Sequence, residues 1–425
     1  MTGSGTLAKI DANVSQSGVG GVSLPNTKTK ERFQKLKATL PVSPLLLFMV
    51  LFLLMPMLFI VRTAISDGEI SRSLPGTLFM LSNEKEFPPS DEVYKTLGQE
   101  LKAAVKSGEL RPLGRRIGYE LPRGLNILLD ASRSVSKLTD AVPASDWKAA
   151  IVASNDAWAK VGVWSVIAAR GASYSTFYLE WALGFDVVRD VNGDAAVDQG
   201  YDFRSIYART IIIALVVTVL TVLIGYPLAY VISMSTGRMA GFLLFLILLP
   251  FWTSLLVRTM SWIVMLQTNG VLNNALFGMG LTAEPLKLLY TRAATVLAMI
   301  QIQLPFTVLP MISVMKAIPP SHVRAARSLG AGPIRAHVSV FMPQAAPGVA
   351  AGGLLTFVLC LGFYLTPALV GGPADQMVSF FIARFTNDEL NWGLASALSL
   401  VLVVGASLIA FPLARHVATH ASDRI

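Results

Sequence analysis

The hydrophobic pattern divides the chain into long apolar runs separated by polar stretches of very unequal length. Six runs are long enough to cross a hydrocarbon core of about 30 Å at roughly 1.5 Å per residue. They are Leu40–Val61, Tyr207–Met234, Gly241–Leu266, Tyr290–Lys316, Ala345–Val370 and Trp392–His416. The pattern therefore predicts an all-α membrane protein with six transmembrane helices.

The polar stretches set the expected organisation. We expect a disordered tail (1–39), a first transmembrane helix (40–62), a long water-soluble insertion (63–206), a core with transmembrane helices 2–6 (207–417) and a short tail (418–425). The first apolar run is longer than the apolar region of a signal peptide, which has roughly 7–15 residues, and it lacks a clear cleavage site, so we expect it to be retained.

The insertion is predicted to be mainly helical. Apolar spacing predicts helices over Asp91–Lys106 and Ser145–Ala169, with Asp91 and Ser145 as N-caps. The acidic run that starts at Asp190 matches a calcium loop poorly, because Ala195 stands at the glycine position and Tyr201 at the bidentate carboxylate position. Asn192-Gly193 instead predicts a hairpin with a type I′ turn.

Composition excludes several classes of protein. Apolar residues make up 53% of the chain and charged residues 14%, against about 25% charged in soluble domains, which excludes a disordered chain and an ordinary cytosolic enzyme. The net charge of +9 comes from basic residues that flank the apolar runs, so it indicates membrane orientation rather than nucleic-acid binding. Both termini are predicted to be cytoplasmic, since most of these residues lie on the side of the termini. The basic residues on that side are Lys28, Lys30, Arg32, Lys35, Lys37, Arg238, Lys316, Arg324, Arg327, Arg335, Arg415 and Arg424.

The candidate chemistry argues against an enzyme and against a metal or cofactor site. Cys360 is the single cysteine, and the four histidines lack ligand-type neighbours at metal spacing. No Gly-Lys dipeptide is present, hence no Walker A loop for ATP. The apolar runs contain no Asp or Glu, which disfavours a proton- or sodium-coupled carrier, although carbonyls of broken helices also bind sodium. An intramembrane enzyme lacks any His-Glu-x-x-His, Ser/Lys or paired-Asp constellation in these runs.

The polar segment 319–343 between the fourth and fifth runs has a distinctive pattern. It predicts two short helices, with Ser321 capping the first, Gly330 in the left-handed conformation that ends it, and Pro333 in the first turn of the second. A basic amphipathic hairpin of this kind either seats in a groove of a soluble partner or lies on anionic lipid.

Several motifs give this part of the chain a family resemblance. Segment 319–343 resembles the coupling loop of bacterial ABC importer permeases, with Ala325, Ala326, Gly330 and Pro343 at matching positions and Arg324 where that family most often has Glu. Gly225–Tyr230, Leu249–Ser254, Asn269–Asn273, Thr366–Pro373 and Asn391-Trp392 are similar to the spermidine/putrescine branch of the family. These motifs cover the half of the chain from Tyr207 to about His416.

The resemblance implies a function and a set of partners. It implies a type I importer permease in the bacterial inner membrane that works with a second permease subunit, an ATPase dimer and a periplasmic solute-binding protein. Residues 63–206 would then be periplasmic and 207–417 the permease core. Arg324, Ala325, Ala326, Gly330 and Pro343 would couple the permease to the ATPase. A permease for another small solute, such as an amino-acid derivative, an opine or an anion, is the main alternative, and a secondary transporter is a further one.

A polyamine is a flexible polycation, so its route should offer carboxylates, aromatic faces or carbonyls. The candidate pathway residues are Trp252, Arg258, Trp262, Tyr364, Asp375, Asp388 and Glu389. The alternatives are that the aromatic residues anchor the membrane interface and that Arg258 extends to the outer surface. Prolines within the runs, such as Pro250, either kink helices or free carbonyls to line a cavity.

Overall fold

The computed structural model describes residues 43–84, 86–169, 171–185, 188–194 and 201–422. Its helices are α1 (Ser43–Ile65), α2 (Glu69–Ser73), α3 (Pro75–Leu81), α4 (Asp91–Ser107), α5 (Leu110–Gly118), α6 (Gly124–Val135), α7 (Ala144–Ser154), α8 (Val161–Ala169), α9 (Phe177–Ala182), α10 (Phe203–Met234), α11 (Gly237–Leu248), α12 (Leu255–Leu266), α13 (Val271–Gly278), α14 (Arg292–Ala317), α15 (Pro320–Ser328), α16 (Pro333–Ala336), α17 (Met342–Gly362), α18 (Leu365–Val370), α19 (Val378–Asn387) and α20 (Trp392–Ser422). The described residues contain no β-strand, and an isolated bridge pairs Ser66 with Tyr174.

The helix lengths bear out the predicted fold class. Five helical stretches are long and apolar enough to cross a membrane, and the bent pair Gly237–Trp252 and Leu255–Gly278 makes up to six. The expected tail 1–39 lies outside the described residues. At the other end of the chain, α20 continues as far as Ser422.

The chain divides into two compact units, and the boundary falls within α1, between Leu58 and Phe59. The second unit begins at Phe59. Its residues from Ser43 to Leu58 expose their side chains on every face of the helix. A helix that is apolar all round suits a hydrocarbon environment and not water.

The predicted crossing over Gly241–Leu266 is not one continuous helix, because the helix breaks in its middle. The two halves meet at an angle of 96°. Pro250 lies in a 3₁₀ turn, Leu249–Trp252, and has no N–H for a helical hydrogen bond. Ser254 then caps α12 by accepting the N–H of Val257 at 3.2 Å.

A second apolar run is also interrupted. The structure ends α17 at Gly362 and begins α18 at Leu365, so the predicted continuous helix Ala345–Val370 is wrong in its last third. Phe363 has extended backbone, with ψ at 125°. The break therefore ends the long helix α17 and begins the short helix α18.

Helices α10, α14 and α17 pack against one another in the centre of the second unit. Small residues allow this close approach: a Cβ on Gly352 would lie 2.4 Å from the carbonyl oxygen of Thr307, and one on Gly348 would lie 2.7 Å from the Val314 side chain. Such small residues are typical of helix contacts in membranes, where close packing replaces the hydrophobic effect.

The insertion has an apolar core of its own. Trp147, Trp158 and Trp164 are fully buried in it, and it draws on helices α2–α8. The predicted helix Asp91–Lys106 is confirmed, although Ser90 and not Asp91 precedes its first turn. The predicted helix Ser145–Ala169 is wrong as one element, because Asn155 is extended and separates α7 from a 3₁₀ turn and α8.

A buried charge cluster ties the insertion to the end of α1. Arg116 bonds Asp67 at 2.5 Å and Glu120 at 2.8 Å, and its guanidinium carbon lies 3.9 Å from the centre of the Phe177 ring. Burial opposes a charge on Arg116, but the hydrogen bond to Asp67 and the charges of both carboxylates outweigh it and raise the pKa of the guanidinium. Arg116 therefore keeps its positive charge in this buried position.

The turn near Asn192 differs from the prediction. Gly193 is left-handed, with φ at 92°, but Asn192 is not, so the turn is not of type I′. The Asp190 carboxylate accepts the N–H groups of Asn192 at 2.8 Å and Asp194 at 2.9 Å, which gives this acidic residue a local structural role. Ala195 and Asp198 lie outside the described residues.

Candidate functional site

The predicted hairpin over 319–343 forms at one end of the core. Gly330 adopts the left-handed conformation, with φ at 89°, and Pro333 opens α16, both as predicted. Gly330 N–H donates to the Arg327 carbonyl at 3.0 Å, and Ala331 N–H donates to that of Ala326 at 3.1 Å. These two bonds form a Schellman motif, which fixes the direction in which the chain leaves α15.

The start of α15 differs from the prediction. Pro319 is the N-cap and Pro320 the first helical residue, and no side chain caps this end. Ser321 is therefore inside the helix and is not its cap. Proline at the first position suits a helix start, because its fixed φ is already helical and its missing N–H would have no partner there.

The tip of the hairpin is apolar and exposed. Leu329 is 89% exposed and Ile334 is 79% exposed, one on each side of Gly330. Arg324, Arg327 and Arg335 are exposed beside them, and segment 319–343 contains no acidic residue. Two large apolar side chains at a rigid turn, surrounded by positive charge, make a surface suited to an apolar groove with an acidic rim.

Two histidines connect the hairpin to the long helices. His322 Nδ1 lies 2.8 Å from Gln344 Oε1 at the start of α17. His337 Nε2 lies 2.9 Å from the hydroxyl of Tyr226 in α10, and its ring stacks on Phe341 at 5.2 Å. Both contacts join residues more than twenty positions apart in the sequence, and sequence patterns gave no signal for them.

His337 also begins a π-helical segment, His337–Phe341, between α16 and α17. Such wider turns are rare and occur mainly at functional sites. Here the segment lies where the hairpin meets the long helix α17.

The remaining predicted coupling residues lie on the same hairpin. Arg324 and Ala325 are exposed and Ala326 is half-buried, all within α15. Pro343 lies in the first turn of α17. The structure therefore brings the predicted coupling residues into one continuous segment, with Pro343 at its junction with the core.

The break between α11 and α12 brings together two of the predicted pathway residues. Arg258 and Trp262 line the same open pocket of about 300 Å³ with Gln301. Trp262 Nε1 donates to Gln301 Oε1 at 3.1 Å, and Arg258 Nη2 donates to the Thr253 carbonyl at 3.2 Å. Arg258 thus caps a carbonyl that the break leaves without a helical partner. Trp252 is 84% exposed beside the break.

The other predicted pathway residues lie toward the opposite end of the core from the hairpin. Asp375 is 5% exposed and pairs with Arg292 at 2.8 Å, while Glu389 pairs with Arg384 at 3.1 Å. Asp388 is exposed, and Tyr364 is 43% exposed before α18. Two of the three acidic residues are thus neutralised by separate arginines. They do not present one cluster of free carboxylates.

Comparisons with known proteins place the core among transport proteins. The profile of the family described as "Binding-protein-dependent transport system inner membrane component" matches residues 222–420. The spermidine/putrescine transport system permease protein PotB of Haemophilus influenzae is 33% identical over 213 residues, which cover 49% of this chain and 74% of that protein. The Escherichia coli protein of the same name is 30% identical over 200 residues, which cover 47% of this chain and 73% of that protein.

One further relative is named without a substrate, and one solved structure is also similar. The inner membrane ABC transporter permease protein YdcU of Escherichia coli is 32% identical over 217 residues, which cover 47% of this chain and 67% of that protein. A crystal structure of a bacterial ABC transporter involved in the import of the acidic polysaccharide alginate has a TM-score of 0.41 and 19% identity, over 52% of this chain and 80% of that one.

Proposed function

The chain belongs to the family of binding-protein-dependent transport system inner membrane components, and on this premise we propose that it is the membrane-spanning subunit of an ATP-driven polyamine importer. The family works with a separate ATPase and a solute-binding protein. The chain itself has no Gly-Lys dipeptide and hence no Walker A loop. ATP is therefore hydrolysed on another polypeptide, and this chain contributes the membrane helices and the coupling surface.

The observation that carries this proposal is the apolar tip of the hairpin. Leu329 and Ile334 are exposed at a turn fixed by the Schellman motif at Gly330. Burying one such side chain in a partner stabilises a complex by about 1.5–3 kcal/mol. We propose that this tip seats in a groove of the ATPase and that Arg324, Ala325, Ala326, Gly330 and Pro343 form the coupling segment.

The contacts of the hairpin suggest how the motion is transmitted. When the ATPase moves the tip, the pair His322 and Gln344 displaces the start of α17, and the pair His337 and Tyr226 displaces α10. Because α10, α14 and α17 pack closely, they move together. The solute pathway between these helices then opens alternately to the two sides of the membrane. It accepts the solute outside and releases it inside.

Arg324 gives the coupling surface an unusual charge. It is exposed at the position where the resembling family most often has Glu. A basic side chain here repels a basic groove and attracts an acidic one. We propose that the partner ATPase of this chain carries an acidic residue opposite Arg324.

The substrate proposal comes from the relatives named for spermidine and putrescine transport. The aromatic faces of Trp252, Trp262 and Tyr364 and the exposed carboxylate of Asp388 offer the groups that ammonium ions prefer. Asp375 and Glu389, which pair with arginines, would have to give up these partners to contact the solute. Arg258 holds the Thr253 carbonyl, so its contribution to the pathway is to shape the break. We assign it no contact with the cationic solute.

We propose an inner-membrane location with both termini in the cytoplasm, which places the hairpin on the ATPase side. Residues 63–206 then form the periplasmic insertion, and 207–417 form the permease core. A second permease subunit, different from this one, would complete the pathway. The basic residues on the side of the hairpin support this orientation.

Uptake of radiolabelled putrescine and spermidine tests the substrate. We expect cells that lack this chain to lose uptake, cells that regain it to recover uptake, and only polyamines to compete. Unchanged polyamine uptake would remove the substrate assignment, and competition by amino-acid derivatives, opines or anions would replace it with one of these solutes.

A further inference from the structure

A pocket of about 270 Å³ lies where the insertion meets the start of α20. Glu69, Arg116, Tyr119 and Tyr178 line it from the insertion, and Asn391 and Trp392 line it from the other side. The space therefore suits a small molecule. It is at the opposite end of the core from the coupling hairpin and is separate from the pocket at Arg258.

Three buried polar atoms of residues that line this pocket lack a hydrogen-bond partner among the described residues: Arg116 Nη1, Glu69 Oε2 and Asn391 Nδ2. Arg116 is 1% exposed and Asn391 is 3% exposed. Buried polar groups in folded proteins are nearly always paired. Two donors and one acceptor on residues in the wall of one cavity indicate a ligand that supplies an acceptor for the donors and a donor for the acceptor.

The other polar atoms of these side chains are held in place. Arg116 donates from Nε to Asp67 and from Nη2 to Glu120. Asn391 Oδ1 accepts the N–H of Leu394 at 3.1 Å. These hydrogen bonds fix the two side chains and leave Arg116 Nη1 and Asn391 Nδ2 without a described partner. Both donors are therefore preorganised for a ligand.

The backbone beside Asn391 is also constrained. Leu390 has a φ of 52°, which is uncommon for a residue other than glycine, and such conformations cluster at functional sites. At Gly393, a Cβ would lie 2.4 Å from the ring of Tyr178. Glycine at this position therefore allows the start of α20 to approach the insertion closely enough to form the pocket wall.

Charged and aromatic groups both line the pocket. Glu69, Arg115 and Arg116 are the charged lining residues, and the Arg116 guanidinium is paired with the carboxylates of Asp67 and Glu120. Burial raises the pKa of Tyr119 to about 12 and that of Tyr178 well above its ordinary value, so both phenols are neutral near pH 7. The Glu69 carboxylate and the aromatic walls together favour an ammonium group.

We propose that this pocket binds a small amphoteric molecule that carries one primary ammonium group and one carboxylate. The ammonium group binds Glu69 Oε2 between the aromatic side chains, and the carboxylate accepts from Arg116 Nη1 and Asn391 Nδ2. A diamine would leave both donors unpaired, and a dicarboxylate would leave Glu69 unpaired and add negative charge. This inference does not rest on the transported solute, since the pocket belongs to this chain alone.

Calorimetric titration of the purified full-length chain in lipid nanodiscs tests the proposal. The probes are glycine, 3-aminopropanoate and 4-aminobutyrate, which carry both groups at increasing separations. Putrescine and succinate serve as comparisons of similar length that carry two ammonium groups or two carboxylates. We expect at least one amino acid to bind about tenfold or more tightly than either comparison, corresponding to one buried hydrogen-bonded group.

Two conservative variants localise the binding. Glu69→Gln removes the charge that holds the ammonium group. Asn391→Asp keeps the oxygen that caps α20 and replaces the donor with an acceptor. We expect each to weaken amino-acid binding by about tenfold, with unchanged thermal unfolding as the check on folding. Glu92→Gln removes a charge from an exposed position of the insertion and should leave binding unchanged.

Three results would overturn the proposal. One is the failure of all three amino acids to bind. Another is amino-acid binding that either pocket variant leaves unchanged. The third is a preference for putrescine that Asn391→Asp strengthens, which would identify a site for cations alone. All of these results concern binding to the isolated chain, so they are distinguishable from a failure of polyamine transport.

Discussion

The two ends of the core present opposite kinds of surface. The hairpin at one end exposes Leu329 and Ile334, apolar side chains on a rigid turn. The pocket at the other end holds the unpaired polar atoms of Arg116, Glu69 and Asn391. Exposed apolar side chains gain most from a macromolecular partner, whereas buried polar atoms gain most from a small ligand with matching groups. In our proposals, energy coupling therefore belongs to the first end and ligand recognition to the second.

The largest effect should come from Arg116→Met in the insertion. The substitution leaves Asp67 and Glu120 buried without their partner, which should destabilise the insertion by about 3–5 kcal/mol. Thermal unfolding followed by the fluorescence of the buried tryptophans measures this loss. The triple variant Arg116→Met, Asp67→Asn, Glu120→Gln removes all three charges and should regain most of the stability. Equal losses in both variants would show that the charge balance is unimportant.

At the hairpin, Leu329→Asp should prevent docking while leaving the insertion intact. Losing the burial of one large apolar side chain removes about 1.5–3 kcal/mol, so recovery of the ATPase with the purified chain should fall by about tenfold or more. Leu329→Met keeps an apolar side chain and should recover the ATPase as the natural chain does. Undiminished recovery with Leu329→Asp would separate the hairpin from ATPase binding.

A smaller effect is expected from Gly330→Ala. No atom lies within 4 Å of the added Cβ, but φ is 89°, and a left-handed conformation costs an L-residue about 1–2 kcal/mol. The hairpin should lose its fixed direction, and solute uptake should fall several-fold. Gly332→Ala adds the same methyl group in open space at a φ of −62°. A similar loss in both variants would indicate that bulk and not backbone conformation matters.

The smallest effect is expected from Tyr226→Phe, which removes the hydroxyl contact with His337. One hydrogen bond contributes about 0.5–1.5 kcal/mol, so the amount of ATP hydrolysed per solute molecule imported should rise about threefold. Tyr230→Phe is the matched control, since the Tyr230 ring packs on His337 at 4.7 Å while its hydroxyl has no hydrogen bond to the described residues. If both variants hydrolyse the same amount of ATP per imported solute molecule, transmission through this contact is excluded.

The hairpin could be predicted from the sequence because its determinants are local. Proline and glycine fix backbone angles at their own positions, so Gly330 and Pro333 indicated the turn directly. The same local reasoning was wrong at Ser321, where Pro320 starts the helix instead. The long helices were also predictable, since a run of apolar residues specifies a membrane-crossing helix by length alone.

The angle of the break and the pocket could not be predicted from sequence patterns. Pro250 indicated a kink or freed carbonyls within Gly241–Leu266, but not the 96° angle at which the two halves meet. Glu69, Arg116 and Asn391 are separated by 47 and 275 positions, and tertiary packing alone brings them together. No sequence pattern relates these three residues.

Reconstitution into proteoliposomes tests the central claim most directly. The chain is purified alone or with its ATPase and second permease subunit, and spermidine accumulation is measured with the solute-binding protein on the outside and ATP at the ATPase. We predict accumulation only when the ATPase and ATP are both present. Spermidine accumulation by the chain alone, driven by a sodium or proton gradient, would contradict the claim and identify a self-sufficient carrier.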